Sequence, residues 1–126
     1  MKEKLKRIAS NTIVILSLIV LFSLAFTKLT TGHANVFGYR VFYIMSESME
    51  PTIMTNQFTI AKAISPENVD IGDIIAYDRG DIVVIHRVIK IEKTEKGSMF
   101  YFQGDNNDFV DDPVYEEQIM YEIVIY

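Results

Sequence analysis

Three short stretches of this 126-residue chain carry side chains that could do chemistry together. The first is Ser46-Glu47-Ser48-Met49-Glu50-Pro51. It follows a run rich in β-branched and aromatic residues, so Ser48 is expected on a turn just after a strand, hydroxyl exposed and backbone held by the sheet. Pro51 would stiffen that turn and Met49 would support it from the apolar side. A serine hydroxyl is a poor nucleophile without a base beside it, and a loop serine taken alone is ordinarily a turn residue or cap. The second stretch is Val83-Val84-Ile85-His86-Arg87-Val88-Ile89. Histidine suits general-base work near neutral pH, with a reference pKa of about 6.5; amid apolar strand residues it also reads as a hydrogen-bonded structural group. The third is the acidic run Gly104-Asp105-Asn106-Asn107-Asp108-Phe109-Val110-Asp111-Asp112. One of its carboxylates could orient an imidazole and stabilise its protonated form. The same run also reads as a solvated turn or a weak calcium loop, although its spacing departs from an EF-hand and no helical pattern flanks it.

Composition narrows the choices. There is no cysteine, which excludes disulfides, thiolate catalysis and Cys-ligated zinc. The other of the two histidines, His33, lies in a polar segment, so a His-rich metal site is not expected. The net charge of −5 is unevenly spread: residues 1–7 hold four bases and one acid, whereas residues 28–126 hold eight bases and sixteen acids. So acidic a segment repels nucleic-acid phosphates.

Those residues need elements to position them. Ile8–Thr27 is a run of twenty uncharged residues, dense in Leu, Ile, Val and Phe. At about 1.5 Å per residue it spans a hydrocarbon core of about 30 Å, which predicts a transmembrane helix. Lys2, Lys4, Lys6 and Arg7 precede it; the positive-inside rule then puts residues 1–7 in the cytoplasm and the rest outside. Gly32-His33-Ala34 resembles a small-x-small cleavage site, but the apolar run exceeds the h-region of about 7–15 residues in a cleavable signal. Residues 28–35 read as a linker.

From Val36 onward the pattern is that of strands: Val36–Met45, Gln57–Ala63, Ile74–Tyr77, Ile82–Ile91, Ser98–Gln103 and Glu117–Ile125. Turn residues separate them, among them Ser65-Pro66-Glu67-Asn68, Arg79-Gly80-Asp81 and Glu95-Lys96-Gly97. No stretch after Lys28 shows a 3.6-residue apolar period. The expected fold is mainly β, a small antiparallel β domain over residues 36–126 preceded by one N-terminal transmembrane helix.

Taken together, SESMEP, VIHRVI and GDNNDFVDD, in that order behind an apolar anchor, resemble the boxes of type I signal peptidases, and the resemblance covers nearly the whole chain. The usual bacterial branch has a lysine base in a Lys-Arg-Val context. Here His86 precedes Arg87 and Val88, which resembles the endoplasmic-reticulum type shared by eukaryotes, archaea and some Gram-positive bacteria. The resemblance implies Ser48 as nucleophile and His86 as general base. It places an essential Asp six residues after Asp105, hence Asp111 as the imidazole partner; a one-residue shift in the loop would select Asp112 instead. Asp105 is a second candidate for an essential carboxylate. Ser46 and the backbone N–H of Ser48 would form the oxyanion hole.

The implied activity is cleavage of signal peptides from exported preproteins at the outer face of the cell membrane, with no metal and no organic cofactor. Glu47 stands where glycine is common, and a positive φ there predicts strain. Many relatives continue beyond a strand like MYEIVIY, so the chain reads as either a short natural enzyme or a truncated one. An inactive or truncated member serving as a membrane-anchored β binding module is the alternative. A self-cleaving regulator on a similar scaffold is disfavoured by His86 and by the apolar helix.

Overall fold

The computed structural model describes residues 1–31 and 34–126. Gly32 and His33, and with them the Gly32-His33-Ala34 motif, lie outside the described residues. The chain divides into two compact units, residues 1–39 and 40–126.

The first unit is built on helix α1, Lys2–Thr31. It is longer than the apolar run at both ends, because the flanking Lys, Glu and Leu residues are good helix formers and continue its hydrogen bonding. It is long and apolar enough to cross a membrane, and none of its span is buried within the protein. A helix satisfies its own backbone, which hydrocarbon requires. Several of its hydroxyls obey the same rule: Thr12 Oγ1 donates to the Ile8 carbonyl at 3.0 Å and Ser17 Oγ to that of Ile13 at 2.9 Å. Beyond the helix the chain folds back onto it. The Asn35 N–H donates to Thr27 Oγ1 at 3.0 Å and the Phe37 N–H to Ser23 Oγ at 3.3 Å.

The second unit holds a seven-stranded sheet. Its strands are β1 (Tyr39–Tyr43), β2 (Phe58–Ala63), β3 (Ile74–Asp78), β4 (Val83–Thr94), β5 (Gly97–Gln103), β6 (Val114–Tyr115) and β7 (Ile119–Ile125). They lie in the order β1-β2-β7-β3-β4-β5-β6. The pairings β2·β7, β7·β3, β3·β4, β4·β5 and β5·β6 are all antiparallel. The sheet is the small antiparallel β fold expected from the strand pattern. Strand β6 was not foreseen, since two residues carry no readable alternation.

Strand β3 lies at the centre and is buried from Ile74 to Tyr77. Successive side chains point to opposite faces, so β3 feeds two cores. Ile74 and Ala76 join Ile44, Met49, Ile53 and Met120. Ile75 and Tyr77 join Val88, Phe100, Phe102 and Val114. That double burial explains why IIAY is a continuous apolar run rather than an alternating one. Beyond β3 sits β4, in register with Ile75 opposite His86 and Tyr77 opposite Val84.

Phe100 is fully buried, whereas Phe58 is 68 % exposed. Phe100→Ala is expected to cost about 3–5 kcal/mol, a large share of a small domain's stability. Phe58→Ala should stay near the surface-substitution range of about 0.5 kcal/mol. Urea unfolding of the two variants measures the difference.

Candidate active site

Ser48 stands on the loop between β1 and β2. The loop is closed at its base by two backbone bonds, Ile44 N–H to the Gln57 carbonyl at 2.9 Å and Asn56 N–H to the Ile44 carbonyl at 2.8 Å. Met49 and Ile53 drop into the first core and pin it from below. Glu50 ties it across: its carboxylate accepts the N–H of Thr55 at 3.1 Å and the Thr55 hydroxyl at 2.8 Å. The Thr55 N–H, ahead of the hydroxyl, holds the Glu50 carboxyl below the usual carboxylate range. Glu47 is not strained. Its φ is not positive; among non-glycine residues described, only Phe37 and Asn56 adopt positive φ.

The acidic run after β5 grips the same loop. The Asn106 N–H donates to the Ser48 carbonyl at 2.9 Å, and Asn106 Nδ2 to that of Glu47 at 3.2 Å. This contact requires glycine at position 104, because a Cβ there would lie 2.5 Å from the Ser48 carbonyl oxygen. Asp105 receives the Thr52 hydroxyl at 2.5 Å and a bidentate pair from Arg87, Nε at 2.8 Å and Nη2 at 2.6 Å. Arg87 Nη1 also donates to the Gly72 carbonyl at 2.8 Å. The Arg87 hydrogen bonds lower the Asp105 pKa against the opposing effect of burial, with help from Thr52.

His86 and Arg87 are adjacent on β4 and therefore point to opposite faces. Arg87 takes Asp105; His86, 7 % exposed, takes Ser48 and Asp111. His86 Nε2 lies 3.0 Å from Ser48 Oγ, and Nδ1 lies 2.5 Å from Asp111 Oδ2. A carboxylate only accepts, so Nδ1 carries the proton and Nε2 faces the serine hydroxyl as an acceptor. Ser46 Oγ lies 3.2 Å from Ser48 Oγ.

The candidate carboxylates thus occupy three different environments. Asp111 meets the imidazole. Asp105 is neutralised by Arg87 and brackets the serine loop. Asp112 points outward with its side chain 93 % exposed, 3.9 Å from Arg79 Nη1. Tyr77 on β3 and Arg79 just after it hold this arrangement. The Tyr77 hydroxyl donates to Asp111 Oδ2 at 2.7 Å, and Arg79 Nη2 donates to the Asp112 carbonyl at 2.7 Å. The Asp111 N–H adds a bond to the Phe102 carbonyl at 2.8 Å. Tyr77, Arg79, Thr52 and Asn106 were not singled out in the sequence. Each resembles an ordinary strand or turn residue, and only the company it keeps in three dimensions marks it. Among the described residues no cluster of His, Asp and Glu could hold a metal ion.

A cleft of about 380 Å³ opens beside Ser48 and His86, walled by Tyr43, Met45, Met49, Val83 and Ile85. On the Asp111 side of the imidazole lies a hollow of about 720 Å³ that includes Arg79, Phe109 and Val110. A serine, an imidazole and a carboxylate joined in this order can raise the nucleophilicity of the hydroxyl and shuttle its proton.

Comparison with known proteins points the same way. The family model described as signal peptidase, peptidase S26, matches residues 10–110. Signal peptidase I W of Bacillus subtilis (strain 168) is 31 % identical over 112 residues, 85 % of this chain and 59 % of that protein. The catalytic subunit SEC11C of the Homo sapiens signal peptidase complex is 30 % identical over 77 residues, 59 % of this chain and 40 % of it. The catalytic subunit sec11 of the Schizosaccharomyces pombe complex is 29 % identical over 100 residues, 64 % of this chain and 53 % of it. The chain spans about half the length of the curated relatives it matches.

Two variants test the bracket around Ser48. Gly104→Ala forces its new methyl group against the Ser48 carbonyl, and should destabilise by about 1–3 kcal/mol in urea unfolding. Asp105→Asn should cost about 2 kcal/mol at pH 7. Because the Asp105 pKa is depressed on folding, its stabilisation is fully present above the unfolded carboxylate value of about 3.9 and is lost as pH falls through the folded value. The stability gap between Asp105→Asn and the parent should therefore narrow progressively on acidification below about pH 4. A gap independent of pH would refute this account.

Proposed function

The chain belongs to the signal peptidase family, peptidase S26, and from that membership we propose that it is a membrane-anchored serine endopeptidase that cleaves signal peptides from exported preproteins. The observation that carries this reading is the unbroken hydrogen-bonded run Ser48–His86–Asp111 at the edge of an apolar cleft. Ser48 Oγ attacks the scissile carbonyl as His86 Nε2 takes its proton. Asp111 steadies the imidazolium that forms. The oxyanion is received by the Ser46 hydroxyl and the Ser48 N–H. His86 then protonates the leaving amine, and a water activated by the same imidazole hydrolyses the acyl-enzyme. No metal or organic cofactor takes part in this scheme.

Substrate docking follows from strand pairing. Strand β4 pairs with β3 from Val83 onward but with β5 only from Arg87 onward. Residues Val83–His86 also line the cleft. An extended precursor segment can add to that edge through its backbone, with alternate side chains entering the cleft. The apolar walls suit small side chains, as the family's preference for alanine before the cut implies. Helix α1 serves as the anchor, with its basic N-terminal end in the cytoplasm and residues 36–126 outside. Held in the same bilayer as the signal peptide, the enzyme meets its substrate at a raised effective concentration.

The test is cleavage of a model precursor by the full chain in membranes. Ser48→Ala should abolish it; retained cleavage would sink Ser48 as the nucleophile, and no cleavage by the parent chain would return it to a binding module. Asp111→Asn should lower kcat by about 10³–10⁴-fold, by analogy with other Ser-His-Asp sites. Asp112→Asn, at an exposed carboxylate, should stay within about threefold of the parent. The reverse order of effects would transfer the acid's role to Asp112.

A further inference from the structure

Tyr77 has a polar atom in a place where the second core otherwise has none. Its ring is fully buried, stacked on Phe102 at 4.4 Å between centroids, and its partners in that core are aliphatic or Phe side chains. Its hydroxyl reaches the end of the core and donates to Asp111 Oδ2 at 2.7 Å. His86 Nδ1 uses the same oxygen, at 2.5 Å. One carboxylate oxygen therefore receives two donors, one from the proposed base and one from a phenol fixed by packing. A phenylalanine would fill the same core volume; the hydroxyl adds nothing to packing that the ring does not already supply.

Building on the Ser48–His86–Asp111 reading above, we propose that Tyr77 is a positioning residue of this site: by sharing Asp111 Oδ2 with His86 it holds the carboxylate against the imidazole and limits the basicity that the carboxylate confers on it. The first effect is geometric. Asp111 belongs to a loop, and Tyr77 belongs to the central strand, so the bond transfers the rigidity of the sheet to the acid. The second effect is electrostatic. A phenol O–H drawn to the oxygen withdraws part of the negative charge that would otherwise stabilise the imidazolium. Tyr77 remains a donor throughout, because burial, and after it the Asp111 carboxylate, push its pKa far above that of ordinary tyrosine.

The signs are opposite to those of a packing defect. Without the hydroxyl the carboxylate keeps its bond to the imidazole but loses the one to the sheet, and more of its charge faces that ring. Catalysis slows and the imidazole titrates at higher pH. A softened core would lower the active fraction and leave the titration midpoint in place. The other charges around the imidazole, Arg79, Asp81 and Asp112 on the hollow side and the Asp105–Arg87 pair on the other, are retained in every Tyr77 variant.

The experiment compares Tyr77→Phe with the parent by the pH profile of kcat/KM for precursor cleavage, and by NMR titration of the His86 imidazole in the Ser48→Ala background. We expect kcat to fall about tenfold with KM unchanged. Both the acid limb and the imidazole midpoint should move up by about half a pH unit. Placing 3-fluorotyrosine at position 77, a stronger donor of nearly the same size, should move both midpoints down. Phe100→Leu, which softens the same core one ring removed from Tyr77 and touches no hydrogen bond of the site, should lower stability without moving either midpoint. Unmoved midpoints in Tyr77→Phe, a shift of the same sign for the fluorinated residue, or an equal shift in Phe100→Leu would each overturn the proposal. The NMR arm needs no turnover, so loss of the Tyr77 effect there is distinct from failure of the peptidase reading, which shows as no cleavage by the parent chain.

Discussion

Strand β3 has no solvent face, and much of the second unit is arranged around that constraint. A strand buried on both sides must supply apolar groups alternately to two cores, and Ile74–Tyr77 do so. Antiparallel pairing with β4 then sets His86 opposite Ile75. The imidazole thereby hangs from a backbone supported on both faces of the sheet. At the far end of the same strand Tyr77, and just beyond it Arg79, catch the loop after β5 by its Asp111 side chain and its Asp112 carbonyl. The same few residues of β3 therefore locate both the histidine and the carboxylate. Fixing both from a single rigid element keeps their spacing insensitive to loop motion, which is what a proton-transfer geometry demands.

The loops are held differently from the sheet. Apolar packing pins the Ser48 loop through Ile44, Met49 and Ile53; polar contacts add to it. Asn106 bonds the Ser48 and Glu47 carbonyls, and Asp105 joins Thr52 of one loop to Arg87 of β4. Hydrogen bonds impose direction as well as distance, and those to charged groups are the stronger ones. Two carboxylates six residues apart are kept from competing because each has its own donors: a guanidinium and a threonine hydroxyl for Asp105, an imidazole and a phenol for Asp111. With Asp105 neutralised by Arg87, Asp111 is the carboxylate in contact with His86.

Helix α1 meets a separate demand. The hydroxyls of Thr12, Ser17, Thr27 and Thr30 return their protons to carbonyls one turn back, which hides those donors from an apolar surrounding. The bonds from Asn35 and Phe37 to Thr27 and Ser23 extend that economy past the end of the helix. In the proposed role, this helix keeps the enzyme in the plane that its substrates occupy.

The sequence by itself determined what local periodicity and residue chemistry can determine. A twenty-residue uncharged run dense in Leu, Ile, Val and Phe reads as a long apolar helix, and β-branched and aromatic runs between turn residues read as strands, although Val36–Met45 forms a strand over Tyr39–Tyr43 alone. The three boxes named Ser48, His86 and a short set of aspartates as residues to watch, and their resemblance to a family named a chemistry. The tertiary structure decided the rest. Which aspartate meets the imidazole depends on partners 25 and 34 residues away in the chain, His86 and Tyr77. A loop has no period from which such a partner can be read. The helix overran its apolar run, β6 was too short to announce itself, and Glu47 escaped the strain that glycine's usual place there suggested. Tyr77 looked like one more apolar strand residue. Only the folding of β3 beneath Asp111 shows that its hydroxyl has a partner, because burial and hydrogen bonding are properties of neighbours that the chain brings together from afar.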